Sequence, residues 1–297
     1  MLATISIEFP KLGIVIENMG KSVSIFGFEI AYYGIIIASA IAIGILVACL
    51  EAKATGQSAD DYLDFALYEV IASIIGARLY YVIFKWEDYK DDLVEIFRLR
   101  NGGLAIYGAI IAAVITCLVY TKVKKKSFPL MLDTACLGLV LGQVIGRWGN
   151  FFNREAFGSV TGNGNPFAMR IYFDDYYSYS KVPEVVKEQM QNVFGQSATE
   201  LGYIQVHPTY LYESLWNLVL LVVILLLRRK KSYDGEVFLW YALGYAVGRS
   251  WIEGLRTDQL LIPGTSIAVS QMLSITVAIV VAVLLVYKRI QIKKHKI

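Results

Sequence analysis

Seven long apolar runs separated by polar links set the pattern of this chain. They fall at about Ile30–Leu50, Tyr62–Phe84, Gly103–Tyr120, Leu130–Phe152, Tyr210–Leu227, Val237–Trp251 and Ile267–Tyr287. Each is near the ~20 residues that a helix needs to cross a bilayer. The first 29 residues follow another rhythm. ISIEF and SVSIF alternate apolar and polar positions around a turn near Asn18–Gly20, which predicts short strands or a hairpin on the membrane surface. Residues 153–206 are polar, with a TGNGNP stretch and tyrosines between Tyr172 and Tyr179. Within them Val182, Val185, Val186, Met190, Val193 and Phe194 recur at helical spacing. That predicts an amphipathic helix, lying at the membrane interface or packed on its own loop. The expected architecture is an all-α polytopic membrane protein, one membrane domain over 1–297 with seven transmembrane helices. An outer-surface segment covers 1–29, and a small extracytoplasmic head at 153–206 is inserted between spans four and five.

Charge orients this arrangement. The links TKVKKKS and RRKKSYD and the tail KRIQIKKHKI are basic and fall on one side of a seven-span chain. The excess of Lys and Arg marks the cytoplasmic side, so the amino terminus is expected outside and the carboxyl terminus inside. The link Lys85–Asn101 counts against this, since it holds Lys85, Lys90, Arg98 and Arg100. No apolar core precedes residue 30, so no cleavable signal peptide is expected. A composition 56% hydrophobic with mean hydropathy +0.52 sets an ordinary soluble domain aside. A net charge of +3 carries no nucleic-acid signal. Cys49, Cys117 and Cys136 lie in apolar runs without metal-ligand spacing, and the histidines are His207 and His295. No metal and no cofactor are expected.

Candidate chemistry concentrates where spans meet the outside. GRWGNFFNREAFG, residues 146–158, closes the fourth run and puts Arg147 and Asn150 at a helix end. An arginine at a helix centre costs about 2.5–3.5 kcal/mol to insert, and less near the interface. A snorkelling arginine would explain one such residue. It explains less well the set Arg78, Arg147, Arg249 and Arg256, all expected at outward helix ends with Glu155, Glu213 and Glu253. Structural salt bridges account for single pairs, such as Arg249 and Glu253 at i and i+4. Together the arginines suit an anion, because guanidinium forks match phosphate or carboxylate. With inner halves almost wholly apolar, a pocket open to the outer leaflet is expected rather than a channel.

These residues resemble a known family. GRWGNFFNREAFG is similar to the signature of the prolipoprotein diacylglyceryl transferases. The likeness extends to YYG at Tyr32–Gly34, GARLYYV around Arg78, GGLAIYG ending after Tyr107, HPTYLYES at His207–Ser214 and GRSWIEGLRTD at Gly248–Asp258. It implies a bacterial plasma-membrane enzyme that moves a diacylglyceryl group from phosphatidylglycerol to the lipobox cysteine of prolipoprotein signal peptides, releasing glycerol phosphate. By resemblance Arg147 and Arg249 are essential, with Asn150, Glu155 and Gly158 beside them, and Tyr33 is the first-span tyrosine. Arg78, Glu213, Glu253 and Arg256 join them as expected substrate contacts. Tyr107 stands where some members carry histidine, and Ala109 where a second glycine is common. The resemblance therefore names no proton acceptor, although Tyr107 holds the position. A lipid-binding or scrambling protein without catalysis is the alternative.

Overall fold

In hydrocarbon, backbone N–H and C=O groups must pair within their own segment, which makes the helix the natural state of each long apolar run. The computed structural model, which describes residues 5–99, 102–174, 177–262, 264, 265 and 267–295, follows that rule. Helices α1 (Tyr32–Ala54), α2 (Ala59–Phe84), α3 (Ile106–Val123) and α4 (Phe128–Asn153) come first. Later come α7 (Thr209–Leu227), α8 (Glu236–Glu253) and α9 (Val269–His295). Six of these are long and apolar enough to cross a membrane, so the chain is a polytopic membrane protein. The remaining one, α8, carries Glu236, Arg249 and Glu253 within its 18 residues. Its charge, rather than its length, sets it apart. Arg100 and Asn101 of the second link, Tyr176 and the side chain of His295 lie outside the described residues.

The chain divides into two compact units. The first comprises Met1–Gly44, Leu139–Ser232 and Leu239–Ile297. The described part is not all-helical. Strands β1 (Ile5–Phe9), β2 (Ile14–Glu17), β3 (Ser22–Ile25) and β4 (Phe28–Ala31) precede α1. Between α4 and α7 come β5 (Met169–Tyr172), α5 (Glu184–Phe194), α6 (Ala198–Leu201) and β6 (Tyr203–Val206). The strands β2-β1-β5-β6 form one antiparallel sheet, and β3-β4 a separate hairpin. The amino-terminal segment and the 153–206 insertion thus share a sheet. Its register aligns Ile7 with Ile171 and Ile171 with Ile204, all fully buried. Val186 and Met190 of α5 pack in the same core with Val182. Burying each such side chain is worth about 1.5–3 kcal/mol. The expected amphipathic helix therefore splits its apolar face. Val182, Val186 and Met190 pack inward, while Val185 and Val193 remain exposed.

The second unit comprises Ile45–Gly138 and Tyr233–Phe238. Here α2 and α3 cross closely at Gly76 and Gly108, where a Cβ on Gly76 would lie 2.7 Å from the Gly108 carbonyl oxygen. Ala52, Tyr62, Cys117, Tyr120 and Met131 form its core, so Cys117 is a packing residue. Asp133 accepts hydrogen bonds from the Gly235 and Phe238 amides, each at 2.9 Å. It satisfies N–H groups that the start of α8 would otherwise leave unpaired.

Candidate active site

The first unit gathers its charges around one carboxylate. Glu213, one turn into α7, has a side chain only 4% exposed. Arg147 of α4 reaches its Oε2 through Nη2 at 2.6 Å. Arg249 of α8 donates from Nη1 to its Oε1 at 2.6 Å. Arg249 also pairs through Nη2 with Glu253, one turn on and equally buried. Arg256, just past α8, makes a two-nitrogen fork on Asp258 at 2.7 and 2.9 Å. It stands 3.8 Å from Glu213 and 4.0 Å from Glu253. Three guanidinium groups thus share two buried glutamates and one half-exposed aspartate.

The guanidinium groups are not used up. A guanidinium carries five N–H donors in a fixed fork. Among the described residues Arg147 makes no hydrogen bond through Nε or Nη1, and its side chain is 22% exposed. Those donors are open to an anion. Hydrogen bonds set the plane of Arg249 on Glu213 and of Arg256 on Asp258, while Arg147 is held to Glu213 as an ion pair, and burial strengthens each pairing relative to water.

Local packing explains why the helices converge here. Ser214 donates to the Val144 carbonyl at 2.9 Å and accepts from the Trp148 indole at 3.2 Å, joining α7 to α4. Trp216 donates to the Gly244 carbonyl at 2.9 Å. A Cβ on Gly248 would overlap the Trp216 indole, so glycine is required for α7 and α8 to meet. Tyr33 lies against Gly149, where a Cβ would come within 2.8 Å of its ring. These anchors (Trp148, Ser214, Trp216 and the α8 glycines) escape a reading for charge. Their signal is small and hydrogen-bonding residues inside apolar runs.

The loop after α4 completes the site. Arg154 and Ala156 adopt left-handed backbone, with φ of 54° and 55°. For residues other than glycine this costs about 1–2 kcal/mol each. The bend lets Glu155 accept from the Asn150 and Asn153 side-chain amides at 3.2 and 3.1 Å. Glu155, expected beside the arginines, holds these amides. Arg154, inside the same signature, has a fully buried side chain and pairs with Asp174 of the insertion. Gly158 donates its N–H to the His207 carbonyl at 2.9 Å and bridges Arg256. A side chain there would sit 2.9 Å from both the His207 Cβ and the Leu255 carbonyl. Gly158 therefore lets the segments before α7 and after α8 close around the loop.

His207 hydrogen-bonds through Nδ1 with Asn165 and Tyr212, each at 3.1 Å. Burial pushes its pKa below the usual histidine value. Its contacts are those of a structural tie. At Asp258, burial alone would raise the pKa, but the Arg256 fork and charge hold it below the usual carboxylate range.

Arg78 and Tyr107 belong to the second unit. Arg78 is 5% exposed and gives hydrogen bonds to the carbonyls of Ile96, Glu95, Gly102 and Gly103, at 2.8, 2.6, 2.8 and 2.9 Å. Its guanidinium also lies 5.0 Å from the Tyr89 ring centre. Expected to bind an anion, it is spent on the link that leads into α3. Tyr107 occupies the first turn of α3, its ring 6.4 Å from that of Tyr80.

The chain is similar to known proteins along most of its length. The prolipoprotein diacylglyceryl transferase profile matches residues 21–287. A phosphatidylglycerol–prolipoprotein diacylglyceryl transferase from Listeria innocua is 38% identical over 270 residues, covering 91% of this chain and 90% of that protein. The protein of the same name from Clostridium botulinum is 39% identical over 266 residues, covering 90% of this chain and 95% of its own length. That from Halalkalibacterium halodurans is 38% identical over 262 residues, covering 88% and 83%. The chain belongs to the prolipoprotein diacylglyceryl transferase family.

Proposed function

We propose that this chain transfers the diacylglyceryl group of phosphatidylglycerol to the thiol of the lipobox cysteine in a prolipoprotein signal peptide. It releases glycerol phosphate and is the first step in the maturation of bacterial lipoproteins. The observation that carries the reading is the shared Glu213, which aligns Arg147 and Arg249 while leaving Arg147 donors free. A phosphodiester is the anion such forks match. The cysteine sulfur attacks the glyceryl carbon bonded to the phosphate oxygen. A C–S bond forms, the C–O bond breaks, and its electron pair leaves with the phosphate. The arginines stabilise the charge that grows on that leaving group, an effect worth about 2.7–4 kcal/mol per donor in dry sites. A free thiol has a pKa of ~8.5, so the cationic cluster also favours the thiolate. Water or a carboxylate such as Glu253 takes the proton, and Tyr107 hydrogen-bonds the lipid or the sulfur. Asn150, Glu155, Gly158, Tyr33 and Arg256 shape the substrate pocket. Arg78 serves it by holding the link before Tyr107.

In this reading α8 is a seventh crossing, its charges tolerated because they pair. The amino terminus and the 153–206 head lie outside, the carboxyl terminus lies in the cytoplasm, and the site faces the outer leaflet of the plasma membrane. The basic links after α3 and α7 support that orientation. Single cysteines at Asn163 and Lys181 should label in intact cells, and one at Lys125 only after permeabilisation. Labelling of Lys125→Cys in intact cells would reverse the topology. For the activity, purified protein is mixed with phosphatidylglycerol and a lipobox peptide. Release of glycerol phosphate with a matching mass gain on the peptide is expected. Lipid binding without either product would leave a binding or scrambling protein.

A further inference from the structure

The inner face of α7 changes character in steps. Glu213 is charged, Asn217 is neutral and polar, and Leu221 and Ile224 are apolar, all buried. Successive members at i+4 or i+3 share one face, each about 4.5–6 Å further along the helix. A phospholipid has the same order, from anionic phosphate through neutral ester carbonyls to acyl chain.

Asn217 is 2% exposed, and among the described residues its carboxamide makes no hydrogen bond. Yet its polar atoms are not sealed against protein. Asn217 lines a small cavity of ≈ 10 Å³ together with Glu213, Trp216, Tyr245, Gly248, Arg249 and Ile252. That is about the space one water-sized oxygen takes. Buried amides are normally paired, so an unpaired one facing a cavity calls for a partner. On α8 the lining runs from Tyr245 to Ile252 and on α7 from Glu213 to Asn217, so the cavity adjoins the arginine–glutamate layer, and Asn217 borders it one turn further along α7 than Glu213. A neutral amide donor suits a neutral acceptor where the arginines suit the anion.

We propose that Asn217 is a specificity-determining residue that donates a hydrogen bond to an ester carbonyl oxygen of the bound diacyl phospholipid. This rests on the transfer reaction proposed above. With the phosphate on the arginines and a carbonyl on Asn217, the glyceryl carbon between them is held at two points. Two-point holding orients the reacting C–O bond. It also makes the site prefer ester lipids over ether lipids, which lack the carbonyl.

The test compares diacyl phosphatidylglycerol with its dialkyl ether analogue, using purified protein and a lipobox peptide. The readout is kcat/KM for glycerol phosphate release. The original chain should prefer the ester by about ten- to a hundredfold, the effect of one buried hydrogen bond left unmade. Asn217→Leu, similar in size and apolar, should lose that factor on the ester and keep its ether rate, so the preference disappears. The ether rate is the internal check on folding. Asn217→Ala should show the same collapse of the ratio. Equal losses on both lipids, an unchanged preference, or no preference in the original chain would each overturn the proposal. Absence of glycerol phosphate from the original chain with the ester lipid would instead remove the transfer reaction itself.

Discussion

Arg78 and Arg249 each lie in the last turns of an apolar helix, the first buried and the second mostly so, but their surroundings differ. Arg78 faces four backbone carbonyls and, among the described residues, makes no hydrogen bond to a carboxylate. Arg249 faces two glutamates, one of which it shares with Arg147. Carbonyls occupy donors and tie down a loop. Shared carboxylates orient the guanidinium groups and leave part of the fork open. Burial and residue type therefore do not separate these two arginines. The partner does.

The sharpest break of this contrast is Arg147→Lys. A lysine keeps the charge but has no fork, so activity should fall about a hundred- to a thousandfold. Near-normal turnover by a folded lysine protein would make Arg147 a structural residue.

Next comes Glu213→Gln. It removes the charge that both arginines share and leaves their positions less defined. A charge-assisted hydrogen bond is worth about 1.5–3 kcal/mol, which predicts roughly a ten- to a hundredfold loss of turnover. Full activity would mean that the arginines are held by packing alone.

Arg78→Lys should act differently. It costs stability, about 1–3 kcal/mol from carbonyls left unpaired, while turnover of the folded fraction stays within about tenfold. Thermal unfolding followed beside the activity assay separates the two effects.

The smallest effect concerns His207. Its folded pKa is depressed by burial, so the neutral ring contributes stability. That contribution is complete above the unfolded value of ~6.5 and is lost as pH falls through the lower folded value. His207→Gln should keep most activity at neutral pH and lose less stability than the original chain between about pH 7 and pH 5. A folded but inactive His207→Gln protein that still binds phosphatidylglycerol would make the histidine the proton acceptor.

The same contrast marks what the amino-acid sequence makes legible. Long apolar runs dictate their own helices, so α2 and α7 lie within a few residues of the runs that predict them. Arg147 and Arg249 stand out because charge in an apolar run is costly. The fate of Arg78 does not stand out, since its carbonyl partners belong to a link with no periodic pattern. The strands Met169–Tyr172 and Tyr203–Val206 are four residues each, too short to announce themselves among polar loop residues. Glu155 illustrates a further gap. Its pairing with Asn150 depends on a left-handed bend at Arg154 that no pattern of side chains reports.

The most direct measurement sets Arg249→Lys and Arg78→Lys side by side. Both are assayed for glycerol phosphate release at equal amounts of folded protein, with phosphatidylglycerol and a lipobox peptide. At least about a hundredfold loss is expected for Arg249→Lys and less than about tenfold for Arg78→Lys. Equal losses, or the reverse order, would contradict this.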